Sequence, residues 1–64
     1  MTKIQAVSEW RREILSRIRE QENGRPDYPM RRESWGMFVD SLHRDGRITD
    51  KQYDEWRAPV ECRG

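Results

Sequence analysis

Apolar residues recur along the first third of the chain at three- and four-residue intervals: Ile4, Val7, Trp10, Ile14, Leu15 and Ile18. At about 100° per residue they fall within one arc roughly 140° wide. Neither Gly nor Pro interrupts the stretch from Met1 to Asn23. The pattern predicts one amphipathic helix over residues 3–22. Thr2 and Gln5 have capping-box spacing at its start, and Asn23-Gly24 can take the left-handed conformation that ends a helix. Arg11 breaks the pattern, because it falls inside the apolar arc between Ile18 and Ile4. It either snorkels at a seam between helices or is held for an acidic group on another subunit or partner.

Residues 23–30 read as a connecting loop, since Pro26 and Pro29 disfavour helix at Arg25 and Tyr28. A second helix is predicted over 31–45, with Trp35, Phe38, Val39 and Leu42 on one stripe. Met30 and Trp35 take hydrophobic-staple positions if Arg31 is the N-cap. Gly36 inside this helix costs about 1 kcal/mol relative to Ala, which close packing of another backbone or a Trp ring would explain. Asp45-Gly46 ends the helix. Thr49-Asp50-Lys51-Gln52 is then a complete capping box flanked by Ile48 and Tyr53 as a staple, with Asp50 at the positive end of the helix dipole. A third helix over 50–57 is expected to bury Tyr53 and Trp56. Pro59 stops it and leaves a loose tail over 58–64. Period-2 alternation is absent, so no strand is assigned.

The expected fold class is therefore all-α: one small domain in which a long N-terminal helix packs against a shorter C-terminal αα-hairpin. Trp35, Phe38, Leu42, Tyr53 and Trp56 should meet Val7, Trp10, Ile14 and Ile18. A chain of 64 residues holds only a thin core. Hydrophobic residues are 33% and charged residues 39%, a balance that approaches disorder, and the three Trp argue for folding. Cys62 is the single cysteine, which excludes an intrachain disulfide and reads as an incidental free thiol in a reducing compartment. With no signal-peptide pattern and no run of about 18 apolar residues, a cytoplasmic chain with no membrane contact is expected.

Gly46 followed by Ile48 echoes a calcium loop, but that alignment puts Ser41, His43, Asp45, Thr49 and Gln52 at ligand positions, with one carboxylate among them. Calcium is rejected. His43 is the one histidine and has no Cys or His cluster around it, so no metal and no cofactor is expected. No serine has a paired base at a recognisable spacing and no phosphate-binding loop occurs, so no catalytic residue is nominated.

Two binding readings remain. Arg25, Arg31 and Arg32 surround the start of the second helix, where free N–H groups favour an anion and nucleic acid is an alternative partner. A helix–turn–helix reading conflicts with the third helix, where Asp50, Asp54 and Glu55 outnumber Lys51 and Arg57. Met37 lies opposite the apolar stripe beside Glu33 and Arg44, and with Met30 it is a candidate protein interface. The wide arc on the first helix also favours a two-fold dimer over a monomer, with Arg11 meeting Glu22 of a second copy.

The stretch from Tyr28 to Pro59 carries Tyr28-Pro29, Trp35, Phe38-Val39-Asp40, Asp45-Gly46-Arg47-Ile48-Thr49, Gln52, Trp56 and Pro59. In these residues it resembles small orphan proteins of tailed bacteriophages and prophages. The resemblance covers about half of the chain, with Glu20-Gln21-Glu22 as a lead-in. It implies an accessory protein acting by binding a host or phage protein, and it carries over no catalytic or ligand residue. The leading expectation is a non-enzymatic, protein-binding accessory protein with Arg11, Arg25, Arg31, Arg32 and Met37 as candidate partner-binding residues.

Overall fold

The computed structural model describes residues 1–63, so Gly64 of the expected tail lies outside it. The fold is all-α, with three helices and no strand among the described residues. Helix α1 runs without a break through Lys3–Trp10, a π-helical segment Arg11–Leu15, and Ser16–Glu22. Helix α2 is Tyr28–Arg44 and α3 is Asp50–Glu55; a 3-10 turn, Val60–Cys62, follows.

Both capping boxes form. Thr2 accepts from the Gln5 N–H at 3.2 Å while the Thr2 N–H donates to the Gln5 side chain at 3.0 Å. Thr49 and Gln52 repeat the exchange at 3.1 and 2.9 Å. At the end of α2, Gly46 takes φ +75°, its N–H reaching the His43 carbonyl at 3.0 Å and the Arg47 N–H the Leu42 carbonyl at 2.9 Å. This paired bonding is a Schellman stop, and it points Ile48 into the core. Thr49→Ala is expected to cost about 1 kcal/mol by orphaning the Gln52 N–H. A thermal melt reads this as a midpoint several degrees lower, and an unchanged midpoint would mean that the cap contributes nothing.

The start of α2 differs from expectation. Asp27, not Arg31, is the N-cap, accepting from the Met30 N–H at 3.1 Å, and the helix begins at Tyr28. Pro29 sits in the first turn, where the missing N–H would have no helical acceptor and the fixed φ suits a helix. Arg31 therefore lies inside the helix. Met30 is an exposed helical residue rather than a staple.

The π segment decides which face of α1 is buried. Its i→i+5 bonding stacks residues five apart, so Trp10 and Leu15 both enter the core while Ile14 is turned half out. The two halves of α1 thus bury faces that do not share one straight helical arc. In the first half the buried face is Ala6, Val7 and Trp10. Ile4, about 115° from its middle, is left 83% exposed, contrary to the single-arc expectation.

The core joins Ala6, Val7, Trp10 and Leu15 of α1 to Trp35, Val39 and Leu42 of α2, with Ile48 and Cys62. Trp10 meets Trp35 edge-on, ring centroids 5.7 Å apart, and its Nε1 donates to Ser34 Oγ at 3.3 Å. Phe38 and Trp56 pack against this cluster from partly buried positions. Tyr53 is not in the core: its ring lies against His43, and its hydroxyl is hydrogen-bonded to Asp40.

The tail is also not loose. Helix α3 ends at Glu55, Trp56 turns extended, and the chain returns along α2 to bury Pro59 and fully enclose Cys62. Burial pushes the Cys62 thiol above its ordinary pKa.

Candidate functional site

Two charged residues nominated for partners are occupied within the chain. Arg31 Nε and Nη2 form a bidentate pair with the two oxygens of Glu22 at 2.9 and 2.7 Å, and Nη1 donates to the Glu61 carbonyl at 2.9 Å. Asn23, at φ +52°, reverses the chain after α1 so that Glu22 can face α2. The Glu22 carboxylate also accepts the Asp27 N–H at 2.7 Å, which ties the loop to both helices. Hydrogen bonds from Arg31 hold the Glu22 carboxyl below the usual carboxylate range. The pair is enclosed, and the guanidinium lies 5.5 Å from the centre of the Tyr28 ring.

Arg11 reaches across to the returning tail and binds Glu61 through Nε and Nη2. This replaces the expected contact with a second copy: Glu61 is the carboxylate of Arg11, and Glu22 is already committed to Arg31. Arg32 donates to the Cys62 carbonyl at 3.2 Å while remaining exposed. The Arg25–Arg31–Arg32 cluster thus loses its middle member to the interior. Arg25 stays exposed, with no side-chain bond among the described residues.

Met37 behaves differently. It is 66% exposed on the outer face of α2, and Met30, seven residues earlier, is 41% exposed. Glu33, Asp40 and Arg44 continue the same line and are all exposed. The spacing of these five positions is three, four, three, four, so they form one stripe within roughly 80° of arc. The buried face of α2, Arg31, Trp35, Val39 and Leu42, lies on the opposite side.

Gly36 flanks this stripe. A Cβ built there would meet nothing within 4 Å, so the close internal packing expected at this glycine does not exist. Its φ is not in the left-handed region either. Gly36→Ala is therefore expected to stabilise the isolated chain by about 0.5–1 kcal/mol, since Ala fits and restricts the unfolded state. A urea titration checks this, and a lower midpoint would reveal an internal role for Gly36.

Elsewhere, an open groove of about 820 Å³ runs beside the first turns of α1, with Ile4, Ser8 and Arg12 along it. Its Glu9 and Arg47 form a loose ion pair at 3.7 Å. No group of three or more His, Cys, Asp and Glu side chains able to hold a metal ion occurs among the described residues. No helix among them is long and apolar enough to cross a membrane.

Sequence spacing does not mark Glu22 as the partner of Arg31, Glu61 as the partner of Arg11, or the π segment. One signal was present: Arg31, Trp35, Phe38 and Leu42 share helical spacing, so a helix starting at Tyr28 places an arginine on its buried stripe. A buried guanidinium requires a carboxylate. Set beside known proteins, the chain matches no protein family, no curated protein sequence and no solved structure.

Proposed function

We propose that this chain is a small non-enzymatic accessory protein, of the type encoded by tailed phages and prophages, that acts in the cytoplasm by protein–protein binding. The outer stripe of α2 is the binding surface. The observation that carries this reading is the exposure of Met30 and Met37 along one outer stripe of α2, at whose Asp40 edge stands a glycine that the chain's own packing does not require. Methionine adapts its shape to a partner, and a missing side chain at Gly36 admits a neighbouring backbone. Arg11 and Arg31 act instead as internal struts.

The test is a photo-crosslinking residue at position 37, with position 54 on exposed α3 as control, in the cells that naturally carry the gene. Discrete adducts from position 37 and none from 54 are expected. No adduct at 37 beyond the control level would overturn the reading. The nucleic-acid alternative is weakened by the enclosure of Arg31, which leaves Arg25 and Arg32 as an exposed pair. Elution from heparin at low salt is expected, whereas steep salt-dependent retention would favour that alternative.

A further inference from the structure

We infer that the face where the returning tail crosses α1 and α2 binds an acidic segment of a partner protein, with Arg19, Arg32 and Arg63 receiving its carboxylates. This surface is separate from the α2 stripe and does not depend on it.

Arginines from three parts of the chain converge on residues 58–62. From α1, Arg11 binds the Glu61 carboxylate. From α2, Arg31 and Arg32 donate to the Glu61 and Cys62 carbonyls at 2.9 and 3.2 Å. Arg63 folds back along the tail, its Nη2 reaching the Ala58 carbonyl at 3.3 Å. Arg19 stands beside this group without a hydrogen bond or ion pair among the described residues. Hydrogen bonds from Arg31 and Arg11 chiefly hold the Glu22 and Glu61 carboxyls low, and the charge of Arg19 adds to both. Burial raises the Cys62 thiol, and the charges of Arg31, Arg32 and Arg63 oppose that rise.

Only two of these five guanidinium groups have a carboxylate. Glu22 pairs with Arg31 and Glu61 with Arg11. Arg19, Arg32 and Arg63 form no ion pair among the described residues, and all three are exposed. Arg32 and Arg63 each place one of five N–H donors on a neutral carbonyl, which leaves their charge uncompensated. Arg25 and Asp27 of the preceding loop offset one another. The face therefore carries an excess of positive charge within a chain whose charges otherwise nearly cancel.

The surroundings favour a short run of carboxylates over a nucleic-acid backbone. Glu20 and Glu33 follow Arg19 and Arg32 in sequence, about 100° further round their helices, and both are exposed. A long polyanion would have to pass these acidic rims, whereas a short acidic segment stays between them. Glu61 already shows the mode of contact: its two oxygens face the fork of Arg11, the planar match by which a guanidinium takes a carboxylate.

Hexaglutamate titrated into the full 15N-labelled chain tests this, with hexathymidylate as a comparison of similar charge. In about 0.1 M salt the Debye length is about 10 Å, so distant charges contribute little. Shift changes are expected to gather at the amides around Arg19, Arg32 and Arg63. Arg19→Gln should weaken binding about threefold, and Arg19→Gln with Arg32→Gln about tenfold. Lys51→Gln makes the same change of charge on α3, which docks near His43, about 16 Å along α2 from Arg32. It should leave the affinity unchanged. Circular dichroism establishes that each variant is folded, and Arg63→Gln replaces Arg32→Gln if the latter loosens the tail.

Absence of hexaglutamate shifts at this face overturns the inference, as does equal weakening by Lys51→Gln and Arg19→Gln. Tighter binding of hexathymidylate at the same amides overturns the carboxylate assignment in favour of nucleic acid. None of these results bears on adducts from position 37, which judge the α2 stripe separately.

Discussion

Trp10→Ala is expected to remove about 3–5 kcal/mol of stability, the largest loss available from one side chain in this fold. Trp10 is completely enclosed and sits where α1 meets α2, edge-on to Trp35. It is also the last α-helical residue before the π segment, so no backbone adjustment of α1 can refill the void without moving Leu15. The loss is comparable to the whole stability expected of so short a chain. Urea unfolding followed by circular dichroism should show a chain that is largely unfolded before denaturant is added. Trp10→Phe retains part of the ring and gives up the hydrogen bond to Ser34, so its loss should be clearly smaller. Cooperative unfolding of Trp10→Ala near the parent midpoint would remove Trp10 from the centre of the core.

The second large effect belongs to the Glu22–Arg31 pair. Glu22→Leu is expected to lower the unfolding midpoint far more than Glu13→Leu, which only opens the exposed Arg12 contact. Removing Glu22 leaves the enclosed guanidinium without its carboxylate and frees the Asp27 N–H. Adding Arg31→Met to Glu22→Leu should recover most of the loss, because an apolar pair has no unmatched charge to desolvate. Equal effects of Glu22→Leu and Glu13→Leu would show that the enclosed pair contributes no more than a surface contact.

The same pair sets an acid limit. Glu22 and Glu61 are held below the usual carboxylate range by hydrogen bonds from Arg31 and Arg11, respectively. A carboxyl whose folded pKa is depressed binds fewer protons in the folded state. Its stabilisation is complete above the unfolded value of about 4.3 and is lost as pH falls through the folded value. The urea midpoint should therefore decline on acidification below about pH 5. Glu22→Gln should be less stable than the parent at neutral pH and show a shallower decline.

These two sites differ in how far they could be read from sequence. Trp10 follows from helical spacing alone, because an aromatic on the apolar side of an amphipathic helix has few other places to go. Arg31 does not. Its spacing from Trp35 and Leu42 signals burial only after the helix is known to start at Tyr28, and Pro29 argues against that start. The local rule for residues preceding proline is outweighed by Asp27, whose side chain caps the first turn. Tyr53 misleads in the opposite direction: its staple spacing suggests burial, but its hydroxyl finds Asp40 and its ring finds His43 at the surface.

Local chemistry along the chain determined the elements that depend on neighbours a few residues apart. The Thr2–Gln5 and Thr49–Gln52 boxes, the left-handed residues Asn23 and Gly46, and the all-α class are of this kind. Each rests on contacts within about one helical turn, where sequence separation and distance in space coincide. The exposed position of Met37 also follows from spacing, because it is opposite the buried stripe whichever residue starts the helix. Tertiary structure alone decided where the long-range charges went. Arg11 finds Glu61 fifty residues away, and Arg31 holds both Glu22 and the Glu61 carbonyl. The chain in isolation contains many carboxylates that could serve each arginine, and only the returning tail selects among them. The same return converts Cys62 from an expected terminal thiol into a core residue. The π segment is likewise a tertiary choice: packing Trp10 and Leu15 against one surface is satisfied by an extra residue in the turn, a preference that no 3.6-residue period contains.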